Sequence, residues 1–433
     1  LAAALPFVAV LVGGLKRLLL AIAVLNISFN WDVNFAYDYD AASLGAVGGF
    51  SFSLTTVALL GLYALWLADL LARPESTPRP PFRWAVPATL YVALTALSLF
   101  AADDRQLSLF ELAIVLQGFL LFVYVVTFVR TERDVRFVVG TLLLALVVQG
   151  ALIVSTRYLG VDLQLAGLAT RTDVTDARNR FAGTLGGPNG AGSYLAPMLL
   201  LAISVFVARA GKARHRLAPV AVALGSVALV LTFSRGAWLS FAVALVVLIA
   251  VVAARGGVSG RILALAALAT VVALALGGAV ADRFTSDGTQ TVDARASLFD
   301  TSVEVIRDHP FLGVGPNNFA LVLPSYRELT GYAYIPHNKF ALVWAEAGIG
   351  ALLAFVALLL VLLWRAWVAV RVANRTLFPY AAGVAVAFLA LCVNMNFEPF
   401  NGQMQTQLFW LLAGLVTALW GMRRPHAREV ARA

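Results

Sequence analysis

Apolar residues in this chain come in long, nearly uninterrupted blocks. A helix crosses a bilayer in about 20 apolar residues. Runs of that kind read at roughly 51–72, 84–102, 107–129, 136–155, 187–209, 217–232, 236–254, 262–281, 337–363, 377–397 and 405–422. The first 30 residues are less regular, because Lys16 and Arg17 interrupt an apolar stretch from Leu5 to Ile27. That stretch reads either as one tilted or broken span, or as a short interfacial helix followed by a span. Counted as one, it brings the expectation to about twelve spans, with thirteen open. The expected fold class is all-α: a polytopic membrane protein in which residues 1–433 form a single integral membrane domain. No internal repeat and no cleavable signal peptide are visible.

Composition narrows the classes. Of 433 residues, 61% are hydrophobic and 13% charged, and the mean hydropathy is +0.85. Soluble domains carry roughly twice that share of charge, so a soluble enzyme, a disordered chain and a nucleic-acid binder are excluded. The single cysteine, Cys392, lies in an apolar run and allows neither an intrachain disulfide nor a cysteine-based metal site.

The net charge of +9 is a matter of topology. Alternate loops between the runs hold 21 of the 32 Lys and Arg residues and only five acids; the other loops hold 11 basic residues and 18 acids. Short cytoplasmic loops carry the Lys/Arg excess, which puts the first set in the cytoplasm. The long loops, about 28–50, 156–186 and 282–336, then all face outward. Water-exposed chemistry is expected there, with 282–336 as a large periplasmic loop containing a helical segment near Ser297–Asp308.

Three outer segments hold candidate chemistry. The loop before the 187–209 span collects Arg171, Arg178 and Arg180, then Gly186, Gly187, Pro188 and Asn189 at the lip of the span. A helix N-terminus offers free N–H groups and a partial positive charge, suited to an anion. In the very short turn at 231–241, Arg235 sits between two apolar runs, where lipid disfavours a charge by several kcal/mol. A guanidinium is a planar fork matched to phosphate oxygens, and two forks on neighbouring outer turns form a diphosphate clamp. Contact with lipid headgroups is the alternative role for either arginine. In the largest loop, His337 stands at the mouth of the 337–363 span, just before Asn338, a good N-cap residue. The dipole of that helix disfavours an imidazolium, and a neutral imidazole facing water is a competent general base. Of the other histidines, His215 and His426 fall on the cytoplasmic side, so only His309 and His337 are available outside.

Further candidates for substrate binding are Asn189, Arg178, Arg327, Tyr332 and Tyr334. The tyrosines suit stacking on sugar rings, or the aromatic belt of the interface. GVGPNNF, within 309–319, lacks the lysine and the preceding strand of a phosphate loop and reads as a tight turn. Asp38-Tyr39-Asp40 has the spacing of a divalent-metal motif but no partner in the following span, and Asp103-Asp104 reads as a cap. No metal and no cofactor are expected.

Together, RFAGTLGGPNGAG (180–192), TFSRGAW (232–238), HPFLGVGPNNF (309–319) and PHNKFALVWAEAGIGALLAF (336–355) resemble the O-antigen ligase and polymerase superfamily of bacterial envelope glycan enzymes, and within it O-antigen ligase. The resemblance covers 180–363. It implies a GT-C-like glycosyltransferase of the bacterial inner membrane with a periplasmic active site. The implied reaction moves a polysaccharide from undecaprenyl diphosphate to a sugar hydroxyl of lipid A–core. Carried over by motif, Arg180 and Arg235 bind the diphosphate and His337 lies at the acceptor, without metal. One departure is Lys339, where many relatives have an uncharged residue. Direct attack by the acceptor implies inversion at the anomeric carbon.

A polymerase, with a second lipid-linked glycan as acceptor, and a protein O-oligosaccharyltransferase are close alternatives. A transporter is a more distant one. It is disfavoured because charges are almost absent from mid-span: Glu111, Glu346 and Glu398 sit near span ends. A scaffold with its arginines at headgroups is the remaining class.

Overall fold

The computed structural model describes residues 13–161, 163–165, 168–169, 171–173, 180–207, 217–255, 288–329 and 334–422. Its elements run α1 (Leu15–Phe29), β1 (Asp32–Phe35), α2 (Tyr39–Ser43), β2 (Phe50–Ser53), α3 (Leu54–Ala72), α4 (Phe82–Leu97), α5 (Arg105–Phe128) and α6 (Glu132–Leu159). Four short strands follow: β3 (Gln164–Leu165), β4 (Leu168–Ala169), β5 (Arg171–Asp173) and β6 (Arg180–Gly183). The rest is helical: α7 (Pro188–Val207), α8 (Ala218–Leu231), α9 (Arg235–Ala253), α10 (Gly288–Asp308), α11 (Phe319–Val322), α12 (Lys339–Val372), α13 (Phe378–Asn394) and α14 (Gln403–Gly421). The strands pair only as two-stranded antiparallel ribbons, β1 with β2, β3 with β4 and β5 with β6.

Each apolar run expected within the described residues is a helix, and the run at 262–281 lies outside them. Among the described residues, seven helical segments are long and apolar enough to cross a bilayer: α3, α4 with the turn to Ala101, α5, α6, α7, α9 and α12. This is a multi-pass helical membrane architecture. Helices α8 and α13 are apolar but shorter. Helix α14 is buried along its whole length, and its polar residues Gln403, Gln405 and Gln407 face other helices rather than lipid. Trp410 at its centre packs against Phe119, Phe122 and Phe409. Helices α3 and α9 are buried on one face only; Leu60, Leu67, Val246 and Ile249 point outward, as spans at a lipid boundary do.

Residues of the basic loops gather at one end of the bundle. Lys16 pairs with Asp69, and Arg17 with Asp134 at 3.2 Å. Asn374 donates to Glu132 at 2.8 Å, and Arg255 donates to the carbonyls of Val370 and Arg371 at 2.8 Å. Lys16 and Arg17 lie in the first turn of α1, and the part of the apolar stretch before residue 13 lies outside the described residues. At 15 residues, α1 alone falls short of the roughly 20 a crossing needs.

At the opposite end, α12 is broken. Gly348 has φ 77° and ψ 176°, a region open essentially to glycine alone. The HPFLGVGPNNF loop is laid into the break. The N–H groups of Val314 and Gly315 donate to the carbonyls of Ala345 and Glu346 at 2.9 Å, and Ile349 N–H donates to Pro310 O at 3.0 Å. Backbone groups freed by the break thus find partners, as a low-dielectric setting demands. The two asparagines that follow extend the connection. Asn317 exchanges hydrogen bonds with Val47 at 2.7 and 2.8 Å, and Asn318 does so with Asp104 at 2.9 and 3.0 Å. The expected tight turn is therefore a plug that joins α12, the start of α5 and the β1–β2 connection. Its helical neighbour α10 begins at Gly288, nine residues before the segment read from sequence.

Candidate active site

Arg180 opens β6 and pairs across the ribbon with Asp173. Its Nε–H donates to Thr232 O at 3.0 Å, and its Nη2 donates to Asn189 Oδ1 at 2.5 Å. One guanidinium therefore ties the first turn of α7 to the turn before α9. In that turn Phe233 takes a left-handed φ of 49°, which delivers Ser234 as N-cap and Arg235 as the first residue of α9. The two helix starts are close: a Cβ at Gly192 would lie 2.6 Å from Ala237 Cβ, and one at Gly236 would lie 2.7 Å from Phe397 Cβ. The start of α9 is thus set beside the α13–α14 turn, whose next residue is Glu398.

Glu398 is 7% exposed and is the hub of the cluster. Its Oε1 lies 3.9 Å from Nη2 of Arg295 on α10 and 4.0 Å from Nδ1 of His337. Burial lifts its carboxyl to about 7, and the positive charges of Arg295 and Arg180 hold it from rising further. His337 is three-quarters buried, and its Nδ1 has no hydrogen-bond partner among the described residues. Burial and the Arg295 charge together push the imidazole down to about 4, so it is neutral at physiological pH. The direction is that of the sequence expectation, and burial and the Arg295 cation are causes that the sequence did not reveal. Tyr334 stacks on the imidazole with centroids 5.4 Å apart and planes 15° apart. Asn338 caps α12 as expected, accepting from Phe340 N–H at 2.9 Å and Ala341 N–H at 3.0 Å. Lys339 N–H donates to Met395 O at 2.8 Å, fixing the histidine segment to the strand of chain that carries Glu398.

The structure therefore brings Arg180, Tyr334 and His337 near one carboxylate, with Asn189 bound to Arg180 and the start of α9, where Arg235 stands, beside the α13–α14 turn. Arg178 and Tyr332 lie outside the described residues, and Arg327 falls in the 3-10 turn Leu323–Leu329. The Asp38 carboxylate accepts from Ala41 N–H at 2.9 Å as the cap of α2. Asp104 likewise caps α5. His309 ends α10 in an exposed position. Among the described residues, no three His, Cys, Asp or Glu side chains gather as a metal site.

Two participants escaped the sequence reading, Glu398 and Arg295. Glu398 stood out only as an acid at a span end, and Arg295 was one charge in a polar segment. The sole hint was a carboxylate between Phe397 and Pro399, at the turn between two apolar runs. A second buried charged group lies below. Lys339 Nζ is 3.6 Å from Glu111 Oε1, and Glu346 Oε1 accepts from Phe319 N–H at 3.3 Å. Lys339 also borders a small cavity with Tyr91, Met395 and Trp410.

Residues 220–356 match the family model described as O-antigen ligase. A solved chain from a structure described as "Structural coordination of polymerization and crosslinking by a peptidoglycan synthase complex" is 19% identical, over 80% of this chain and 98% of that one, with a TM-score of 0.44. A likeness that distant carries no argument about function. No curated protein matches the chain. Over residues 220–356 the chain is thus similar to the O-antigen ligase family, the family its sequence motifs resemble.

Proposed function

We propose that this protein is an O-antigen ligase. It transfers a polysaccharide from undecaprenyl diphosphate to a sugar hydroxyl of lipid A–core, on the periplasmic face of the inner membrane. In this reading about twelve spans cross the membrane, the Lys16–Asp69 end faces the cytoplasm, and residues 282–336 form the large periplasmic loop. What supports the reading is one observation: Arg295 and His337 lie about 4 Å from the Glu398 carboxylate and Arg180 is close enough to act on it, within and beside the family-matched stretch.

The chemistry follows from the charges. The donor leaves as a lipid diphosphate, already a good leaving group. Arg180 and Arg235 hold its oxygens and stabilise the charge that grows as the anomeric C–O bond breaks. The acceptor hydroxyl oxygen attacks the anomeric carbon from the opposite face, which inverts its configuration. His337 Nε2 takes the hydroxyl proton, a step typically worth ~10²–10⁴ in rate. The Nδ1–H side of the ring faces Glu398, whose carboxylate stabilises the imidazolium as the pair closes from 4.0 Å. The proton then passes to solvent. Tyr334 holds the ring plane, and Asn189 holds Arg180. Both substrates are anchored in one leaflet, so the membrane supplies proximity.

The test is transfer by the purified protein in proteoliposomes, with lipid-linked glycan as donor. Three acceptors are offered: lipid A–core, a second lipid-linked glycan, and a serine-rich acceptor protein. Product on lipid A–core, undiminished by EDTA, is the expected result. Product only on the second or third acceptor makes this a polymerase or a protein-glycosylating relative. No transfer to any of the three ends the reading.

A further inference from the structure

The ribbon β1–β2 has its polarity reversed for a water-exposed hairpin. Its cross-strand pairs are Val33 with Phe52 and Phe35 with Phe50, alternating with Asp32–Ser53 and Asn34–Ser51. One face is therefore entirely apolar, and it points outward: Val33, Phe35 and Phe52 are 55%, 57% and 43% exposed. On the polar face Asp32, Ser51 and Ser53 turn in, while Asn34 stays exposed. Ser51 Oγ donates to Asp32 Oδ2 at 2.7 Å and also bonds Gln403, and Gln403 donates to Gln117 at 3.4 Å. Ser53 caps α3. Apolar-out, polar-in is the pattern of strands that meet lipid.

We propose that this ribbon lies in the lipid interface, with Val33, Phe35, Phe50 and Phe52 against acyl chains, and serves as a collar that sets the height of His337 above the membrane. Three further observations locate it. β2 runs directly into α3, and the apolar face continues into the outward residues Leu54, Val57 and Leu60 of that span. A two-stranded ribbon has two open edges, which hydrocarbon does not tolerate; the headgroup boundary supplies the hydrogen bonds those edges need. Beyond the ribbon, Tyr37 and Tyr39 form an exposed edge-to-face pair at 4.8 Å, the side chain favoured at that boundary.

The collar is coupled to the candidate active site through the connection between the strands. Ile335 N–H donates to Leu44 O at 3.0 Å. Gly45 is seated on Tyr334, where a Cβ would come within 2.6 Å of the ring, and Asn401 Nδ2 donates to Gly45 O at 2.7 Å. Tyr334 is the residue that stacks on His337. A contact with lipid at Phe35 and Phe52 is thereby transmitted to the imidazole through one loop and one ring. The proposal concerns lipid contact and does not depend on the transfer reaction, so it fails or stands apart from the function proposed above.

Photolabelling of the wild-type chain in proteoliposomes tests it. One lipid carries a diazirine near the glycerol end of the acyl chain, another at the chain terminus. The expected result is adducts in 31–53 from the first lipid, several-fold fewer there from the second, and labelling of α3 by both. Absence of adducts in 31–53 while α3 is labelled overturns the proposal, as do crosslinks there to a second copy of the chain. A fluorophore gives an independent readout. F35C labelled in a C392A background should emit in the blue and be quenched by lipids with a nitroxide high on the acyl chain, whereas D40C should not. Water-like emission at position 35, quenched by iodide, overturns it equally.

Discussion

Arg295→Gln isolates the electrostatics of the cluster, because Arg295 touches Glu398 without belonging to the diphosphate clamp. Its guanidinium lies 3.9 Å from the Glu398 carboxylate and is one-third exposed. At about 4 Å two unit charges interact by about 4 kcal/mol at an effective dielectric of 20, and by about 1 kcal/mol in water. Exposure screens the pair toward the lower end. An effect of about 1–2 kcal/mol corresponds to roughly one pH unit in the carboxyl's titration. Arg295 favours the carboxylate, so its removal raises Glu398 from about 7 toward 8. It also raises His337 from about 4, which stays the weaker base of the pair. The active form has Glu398 ionised and His337 neutral. In the wild type kcat/KM for glycan transfer therefore rises with pH through about 7 and then levels; kcat/KM is the parameter that reports the free enzyme. In R295Q the rising limb moves up by about one unit, giving about a five-fold loss at pH 7 and almost none at pH 9. A limb that stays in place refutes the reasoning, and so does a loss that persists unchanged at pH 9.

Other expectations follow from the same geometry. His337→Ala should lower the transfer rate by about 10²–10⁴ while membrane insertion and the size-exclusion profile stay normal. Gly348→Ala places a Cβ 1.9 Å from Phe311 O at φ 77°. It should cost at least about 1–3 kcal/mol in backbone strain, read as a lower thermal midpoint in detergent. Lys339→Met removes the cation beside Glu111 and Glu346. Breaking a buried pair this way costs about 3–5 kcal/mol, and adding Glu111→Gln should recover most of the lost midpoint.

The spans were legible because lipid imposes a length and a composition that few soluble helices share. The two ends were legible because charge is confined to loops, and the Lys16–Asp69 and Arg17–Asp134 pairs place residues of the basic set together. The break in α12 was not. Residues on both sides of Gly348 continue the apolar pattern, and the groups that compensate the break come from residues 310–315, across the chain. The same holds for Glu398 and Arg295. Neither stands in a motif, and their meaning arises only when α10, α12 and the α13–α14 turn meet. His337 was legible by position, since a histidine at a span mouth next to an N-cap is conspicuous. Its neutrality was anticipated from a helix dipole; burial and Arg295 also favour it, and both are tertiary. Asp38 shows the converse: the role of helix cap is set locally, by an acid three residues before Ala41.

The central claim is that Arg180, Arg235 and His337 serve one lipid-linked diphosphate. The most direct measurement is an experimental structure of the protein with undecaprenyl diphosphate–sugar bound in a nanodisc. The account predicts the diphosphate between the guanidinium groups of Arg180 and Arg235, with the anomeric carbon turned toward the His337 imidazole and Glu398 behind it. A diphosphate seated at the Lys16 end of the bundle, or one held by only one of these arginines with the imidazole facing away, would contradict it.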